Sequence, residues 1–329
     1  MNEKIVTICI PLYNCENTIS NTLDSLLKQT YKHIKIKVFD NQSTDNSSNI
    51  VKKYAEGHVN IYYELNEENL GAEGNFTKCI QNAEGDFTGI FHADDVYYST
   101  IIEEQVNYFE KFDVVFVASH SYEINRDSKI IGTRLIPKEL DVENVVVKKN
   151  HLRNLIFKYA NFITCPSVLV RTEVYRESIK AWNIKDFGTS ADLDVWLRLN
   201  KIGSMGFINK PLMEYRLAEE SYSYRISKVR TTRHDLFKVL DKERNLNEKE
   251  LQYKKFLEFK DITLRIINIL RKKDMNSLIP EYHGNILSCL KLGVASKWHA
   301  KIFIVGLFIF ILRPFLKKSV RKFVGVILG

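Results

Sequence analysis

The tetrapeptide His92-Ala93-Asp94-Asp95 sets two adjacent carboxylates and an imidazole directly after the apolar run Gly89-Ile90-Phe91. Neighbouring carboxylates repel unless water or a cation screens them. Hard oxygen ligands on a loop suit Mg²⁺ or Mn²⁺, ions that also take diphosphate oxygens and steady a departing nucleoside diphosphate. Acidic pairs are equally at home at a helix N-terminus, where they meet the positive end of the macrodipole. The tetrapeptide alone does not choose.

Two further segments carry the same ambiguity. Asp40-Asn41-Gln42-Ser43-Thr44-Asp45 reads as a strand-to-helix turn. Such a turn could present Asp40 to an N–H on a nucleotide base while backbone N–H groups face the ligand. A strand end followed by a helix cap explains it slightly better on its own. In Ala191-Asp192-Leu193-Asp194-Val195-Trp196-Leu197-Arg198, apolar residues at 193, 196 and 197 share one helical face and Asp192 stands near the start. A carboxylate there is a helix cap, or a base within reach of a sugar hydroxyl. The segment by itself favours the cap.

The elements that must position these residues alternate between two periodicities. Lys4–Ile10, Ile34–Phe39, Val59–Leu65, Phe87–His92 and Asp113–Ser119 read as strands. Cys15–Gln29, Thr44–Tyr54, Ala72–Ala83 and Val96–Phe109 read as helices, the first with Ile19, Leu23, Leu26 and Leu27 on one face. This alternation predicts a mostly parallel sheet covered by helices, with ligands at the carboxyl ends of the strands. The polar segments at those ends are Pro11–Asn14, Asp40–Asp45, Asn66–Asn75 and His92–Asp95. Arg126–Val147 reads as irregular, His151–Tyr159 as a helix and Ser167–Arg171 as a strand. From Lys228 onward the pattern is helical and rich in lysine.

Composition narrows the class. With 329 residues, 45% of them hydrophobic and 27% charged, the chain is long enough to bury a large core and too apolar for wholesale disorder. The net charge of +8 is uneven: residues from Ile226 onward hold 22 Lys and Arg against 9 Asp and Glu. The five cysteines are widely spaced and form no CxxC pair, which fits a reduced compartment better than a disulfide framework or a zinc site. The opening MNEKIVTICI turns directly into a strand pattern without the apolar core of a signal peptide, so a cytoplasmic location is expected.

The order of the segments adds what none carries alone. Ile10-Pro11-Leu12-Tyr13-Asn14, Leu26-Leu27-Lys28-Gln29-Thr30-Tyr31 and Val38-Phe39-Asp40-Asn41-Gln42-Ser43-Thr44-Asp45 resemble the start of a family 2 glycosyltransferase. The likeness continues through Asn69-Leu70-Gly71, Asn75, Gly85, the His-Ala-Asp-Asp loop in the place of the DxD metal motif, and Ala191-Asp192 in the place of Glu-Asp. It ends with Met213-Glu214-Tyr215-Arg216, covering roughly residues 4 to 220 in order.

The resemblance implies an α/β GT-A nucleotide-diphospho-sugar transferase fold, a Rossmann-like mostly parallel sheet. Residues 1–225 would form the catalytic domain and 226–329 a basic helical extension. It implies transfer with inversion from a nucleotide sugar, expected to be UDP-linked, to a glycan or lipid-linked acceptor in surface-polysaccharide synthesis. Pro11, Tyr13, Asp40, Asp45, Asn75 and Asp94 would surround the donor, with Asp40 on the base. Asp94 and Asp95 would hold Mn²⁺ or Mg²⁺, and Asp192 would be the general base. Thr164-Cys165-Pro166-Ser167 would line the acceptor side.

Three positions depart from the family pattern: His92 opens the metal motif, Ala191 replaces the Glu, and Ala218 stands where many members have His. Ala191 and Ala218 are the best support for an alternative, a membrane-associated nucleotide-sugar-binding or assembly subunit with a degenerate site. The absence of Gln-x-x-Arg-Trp points to one sugar added per encounter.

Near the end, Ile302–Leu312 is an apolar run of 11 residues. As a helix it would be about 16 Å long, short of a hydrocarbon core of roughly 30 Å. Flanking Lys297, Trp298, Lys301, Arg313, Lys317, Lys318, Arg321 and Lys322 suit an anionic membrane surface, and Phe323–Leu328 could add to the attachment. A buried terminal helix or a dimer contact is the competing account. Peripheral attachment to the cytoplasmic face of the inner membrane is the expectation. Nucleic acid is not expected as a partner, because no zinc, RRM or helix-turn-helix pattern accompanies the charge.

Overall fold

The apolar run that opens the chain becomes β1 (Val6–Leu12), buried along nearly its whole length. A strand covered on both faces needs a continuous apolar sequence and not an alternating one. The computed structural model describes residues 3–217 and 230–272. Ala218 and both apolar stretches of the tail, Ile302–Leu312 and Phe323–Leu328, lie outside the described residues.

After β1 the elements follow as α1 (Ile19–Leu27), β2 (Ile34–Asp40), α2 (Ser47–Gly57), β3 (Ile61–Leu65), α3 (Gly71–Gln81), β4 (Phe87–Ile90), β5 (Val96–Tyr97), α4 (Ile101–Lys111), β6 (Phe116–Ile124), β7 (Ile130–Thr133), β8 (Val145–Val147), α5 (Leu152–Tyr159) and β9 (Val168–Arg171). Two short helical pieces, α6 (Thr172–Val174) and α7 (Ile184–Phe187), precede α8 (Ala191–Ile202) and the long β10 (Met205–Arg216).

The strands form one sheet in the order β3-β2-β1-β4-β9-β6-β10-β5, with β7 on β6 and β8 on β10. Strands β3, β2, β1 and β4 are parallel neighbours. Strand β9 runs antiparallel to both β4 and β6, and β10 runs parallel to β6. The carboxyl ends of β1, β2, β3, β4, β6 and β10 therefore share one edge. Because β9 is reversed, its amino end and the 3-10 turn Cys165–Ser167 before it belong to that edge too. This edge carries Pro11–Asn14, Asp40–Asp45, Asn66–Asn75 and His92–Asp95, the polar segments that follow β1, β2, β3 and β4.

The core packs α1 on the sheet through Ile19, Leu23 and Leu26, against strand residues such as Ile8, Ile10, Ile36 and Val38. The turn into β4 depends on Gly85, whose φ is +76°. A Cβ there would stand 2.7 Å from the carbonyl oxygen of Ile5, so both backbone freedom and space require glycine.

Two expectations need correction. Val96–Phe109 is not one helix: Val96–Tyr97 pairs with Met213–Glu214 as an antiparallel strand, and α4 starts at Ile101. Tyr97 stacks on Phe91 with ring centroids 4.2 Å apart, and its hydroxyl accepts the N–H of His92 at 2.8 Å. Such tertiary contacts override local periodicity. Arg126–Val147 also contains two short strands, β7 and β8. Short edge strands among charges leave little alternation to read.

The chain divides into two compact units, Met1–Glu219 and Glu220–Gly329. In the second, the described residues form α9 (Leu236–Lys242) and α10 (Glu248–Lys272), as the helical pattern after Lys228 predicts. Phe237, Leu240 and Phe259 are buried there, and Arg230 pairs with Asp261 at 2.7 Å. Among the described residues no helix is long and apolar enough to cross a membrane.

Candidate active site

The acidic loop follows β4, and its backbone is fastened from two sides. Helix α1 supplies two threonine hydroxyls: Thr18 donates to the carbonyl of Ala93 at 3.0 Å and Thr22 to that of Asp95 at 2.7 Å. Strand β10 supplies its last residue, Arg216. Its backbone N–H donates to Asp95 Oδ1 at 2.8 Å and its Nε to the Asp94 carbonyl at 2.7 Å. The same guanidinium reaches the carbonyls of Asn125 at 2.9 Å and Arg126 at 3.1 Å, and the Ser128 hydroxyl at 3.0 Å. Arg216 is buried, and its fixed fork of donors joins the acidic loop to the β6–β7 turn.

Asp94 is half-buried and Asp95 fully buried. One ligand atom from each of His92, Asp94 and Asp95 lies within 4.8 Å of the others. Asp95 Oδ2, 3.6 Å from His92 Nδ1, and His92 Nε2 are buried without a hydrogen-bond partner. Burial, then the neighbouring Asp94, push the Asp95 carboxyl well above the usual carboxylate range, against the opposing pull of Arg216. Burial lowers His92, opposed by Asp94. Two carboxylates and a neutral imidazole with unpartnered lone pairs fit a divalent cation.

The other two loops are sewn together. Asn14, at φ +51°, accepts the N–H of Thr44 at 2.8 Å through Oδ1 and donates its own N–H to the Ser43 hydroxyl at 3.1 Å. Asp45 accepts the N–H groups of Glu16 and Ser47, each at 3.0 Å. Pro11 is half-buried and Tyr13 is 48% exposed beside this seam. Asp40 is fully buried: Oδ1 accepts the Ser43 N–H at 2.9 Å, while Oδ2 accepts the hydroxyls of Ser48 and, at 2.8 Å, Tyr63. Three of its roughly four acceptor positions are filled from within. In this structure Asp40 shapes the turn.

Asn75 belongs to a buried asparagine network. Its amide donates to the Phe39 carbonyl at 2.9 Å and its Oδ1 accepts from Asn66 at 3.1 Å. Asn66 also donates to Asn41 at 3.0 Å, and Asn41 to Asn69 at 2.9 Å. The network ties the ends of β2 and β3 to the start of α3.

Asp45 carries a pH prediction. Burial alone would raise its carboxyl, but bonds from Ser47 and Glu16 hold it below the ordinary value. A folded pKa below the unfolded one gives stability that is present above the unfolded value and lost as pH falls through the folded value. Asp45→Asn should therefore melt below the parent at pH 7, with the gap closing below about pH 4. Melting curves across that range check it.

Asp192 stands in the first turn of α8, at the positive end of the helix dipole. Its Oδ2 accepts the Asn161 side-chain N–H at 2.8 Å and its Oδ1 the N–H of Leu193 at 2.7 Å. Burial raises its carboxyl, while Asn161, the Leu193 N–H and the charge of Arg134 act in the opposite sense. Cys165 marks the junction with the acidic loop: its thiol, raised first by burial, feels both Asp192 and Asp95. Tyr215, also raised by burial, feels Asp95, Arg134 and Asp94. The charges of Asp95 and Asp192 thus act on one neighbour, Cys165, and those of Asp95, Asp94 and Arg134 on another, Tyr215.

Sequence reading missed three side chains that organise it. Arg216 was visible only as the end of a strand, and its partners in the acidic loop are more than 120 residues away. Arg134 and Asn161 fall in a stretch without periodicity or motif.

Residues 7–178 match the family described as Glycosyl transferase family 2. Among curated relatives, the UDP-Glc:alpha-D-GlcNAc-diphosphoundecaprenol beta-1,3-glucosyltransferase WfgD of Escherichia coli is 27% identical over 225 residues, 68% of this chain and 81% of that protein. Among solved structures, TarS 1-349 of S. aureus in complex with UDP-GlcNAc aligns with a TM-score of 0.59 at 16% identity, covering 83% of this chain and 79% of that one. The mannosyltransferase PcManGT from Pyrobaculum calidifontis, in complex with GDP-Man and Mn²⁺, gives 0.55 at 14% identity, over 94% and 88%. At these identities the structural likeness establishes the fold.

Proposed function

Because the chain belongs to glycosyl transferase family 2 and is a glycosyltransferase of GT-A fold, we propose that it moves one sugar from a UDP-sugar to a lipid-linked saccharide, with inversion, in surface-polysaccharide synthesis. What supports this reading is that the His92–Asp95 cluster follows β4 at the carboxyl edge of the sheet, and that Asp95 and the half-buried Asp192 both act on Cys165, which opens the turn at that same edge. The lipid-linked acceptor and the UDP donor rest on the names of the relatives.

In this account Pro11, Tyr13, Asp45 and Asn75 form the wall of the nucleotide pocket, and Asp40 sets the turn that faces the base. Asp94, with Asp95 and His92, would hold Mn²⁺ or Mg²⁺, which when bound supplies positive charge for the departing diphosphate. Asp192 takes the proton of the acceptor hydroxyl as its oxygen bonds to the anomeric carbon. The bond from that carbon to the diphosphate breaks with its electron pair, and the nucleoside diphosphate leaves. A carboxyl raised by burial is a stronger base once ionised, which suits proton transfer near neutral pH.

Residues 1–225 are assigned the catalysis, and the basic region 226–329 contact with an anionic membrane on its cytoplasmic side. Its surplus of 22 basic over 9 acidic residues supports that contact.

The test is donor binding. UDP, UDP-glucose and UDP-GlcNAc with Mn²⁺ should raise the melting temperature, and a chelator should remove most of the rise. An equal rise in the chelated sample removes the metal from the account. No rise with any of the three removes the UDP donor.

A further inference from the structure

The Asp192 carboxylate is held by the loop that runs from the end of α5 to the Cys165 turn. Helix α5 ends at Tyr159, and the next residue, Ala160, has φ 63° and ψ −160°. That region is glycine's, and a residue with a Cβ is strained there unless its surroundings over-determine it. They do so here. The Ala160 N–H donates to the Ile156 carbonyl at 2.8 Å. Asn161 is then fixed through three groups: its Oδ1 accepts the Ile163 N–H at 3.2 Å, its backbone carbonyl accepts from Arg134 at 3.2 Å, and its side-chain N–H donates to Asp192 Oδ2 at 2.8 Å. Further on, Thr164 and Ser121 share a hydroxyl bond of 2.8 Å, anchoring the loop to β6.

We infer that Asn161 is a positioning residue for glycosyl transfer, whose amide N–H aims the Asp192 carboxylate, with the strained Ala160 turning the amide toward it. The inference rests on the reading of Asp192 as the base. An amide N–H donates to a carboxylate and has nothing to offer as an acceptor, so it favours the anion over the acid. That opposes the burial that raises Asp192. The charged group facing the pair is Arg134, on the far side of Asn161, and its charge also favours the anion. The titratable neighbour is the Cys165 thiol, which burial keeps neutral. With one oxygen bonded to Asn161 and the other to the Leu193 N–H, the carboxylate is held in a fixed orientation with lone pairs left over.

The experiment measures UDP release from UDP-glucose or UDP-GlcNAc with Mn²⁺, water standing in for the acceptor hydroxyl, as a function of pH. Loss of the Asn161 bond raises the pKa of Asp192, so the acid limb of kcat/KM moves to higher pH. For Asn161→Ala the shift should be roughly one pH unit, about a tenfold loss below both limbs that recovers as pH rises. Asn161→Asp keeps the volume and the bonds to Ile163 and Arg134 while placing a second carboxylate against the first. It should move the limb further in the same direction. The melting rise produced by UDP should match the parent in both variants.

A limb that stays at the parent position in Asn161→Asp, whatever the rate, overturns the inference. So does a UDP-induced rise that falls in step with activity, the mark of a general structural role. The underlying reading fails separately: if Asp192→Asn releases UDP at the parent rate, the base assignment is gone and Asn161 has nothing to position.

Discussion

Asp192→Asn should reduce donor turnover by roughly 10²–10⁴-fold, the range a positioned general base contributes, while leaving UDP binding at the parent value. The substitution is close to isosteric. Its retained oxygen can still accept the Leu193 N–H, and only the edge facing the Asn161 amide becomes donor against donor. That mismatch costs about 1–3 kcal/mol at most, and removal of a half-buried charge offsets part of it. A folded protein with an intact nucleotide pocket and no base is therefore the expected state. Steady-state UDP release beside a melting curve with UDP separates the two effects. A loss of binding equal to the loss of turnover would assign Asp192 to donor binding.

Arg216→Ala has the second large effect, and it is on the fold of the loop before it is on chemistry. The guanidinium bonds the carbonyls of Asp94, Asn125 and Arg126 and the Ser128 hydroxyl from a buried position. Truncation removes four hydrogen bonds made from a buried cation, at a cost of about 3–5 kcal/mol. It also removes the positive charge that opposes the rise of Asp95. Arg216→Lys keeps the charge but not the fork, so it should lie between the parent and Arg216→Ala. Denaturant titration gives the stability, and the Mn²⁺-dependent part of the UDP-induced melting rise reports the loop. Parent values of both in Arg216→Lys would show that charge alone suffices.

The fold was largely legible because its signals are local. Buried strands such as β1 and β2 are apolar runs, and α1 shows its inner face through Ile19, Leu23 and Leu26. Asp192 and the Asp94-Asp95 pair stand at a visible helix start and a visible strand end, but it was the order of the segments along the chain that singled them out. Partner choice could not be found that way. Nothing around Asp40 shows that Ser48 and Tyr63 occupy its carboxylate, since that depends on how α2 and β3 settle against β2. Asn75 reads as a motif residue, yet its bonds go to Phe39 and Asn66. Val96–Tyr97 is a strand only because Met213–Glu214 lies beside it. The clamp on Asp192 joins three separate segments, at Arg134, Asn161 and Asp192. Such contacts are made by the tertiary structure and leave no period in the sequence.

Stereochemistry tests the central claim most directly. A single displacement assisted by Asp192 inverts the anomeric carbon, so the α-linked sugar of UDP-glucose should be released to water as β-glucose. Proton NMR of the anomeric signals, recorded before mutarotation equilibrates them, should show the β form first in the Mn²⁺-loaded parent and release slowed by roughly 10²–10⁴-fold in Asp192→Asn. Initial α-glucose, or β-glucose at the parent rate from Asp192→Asn, would contradict the account.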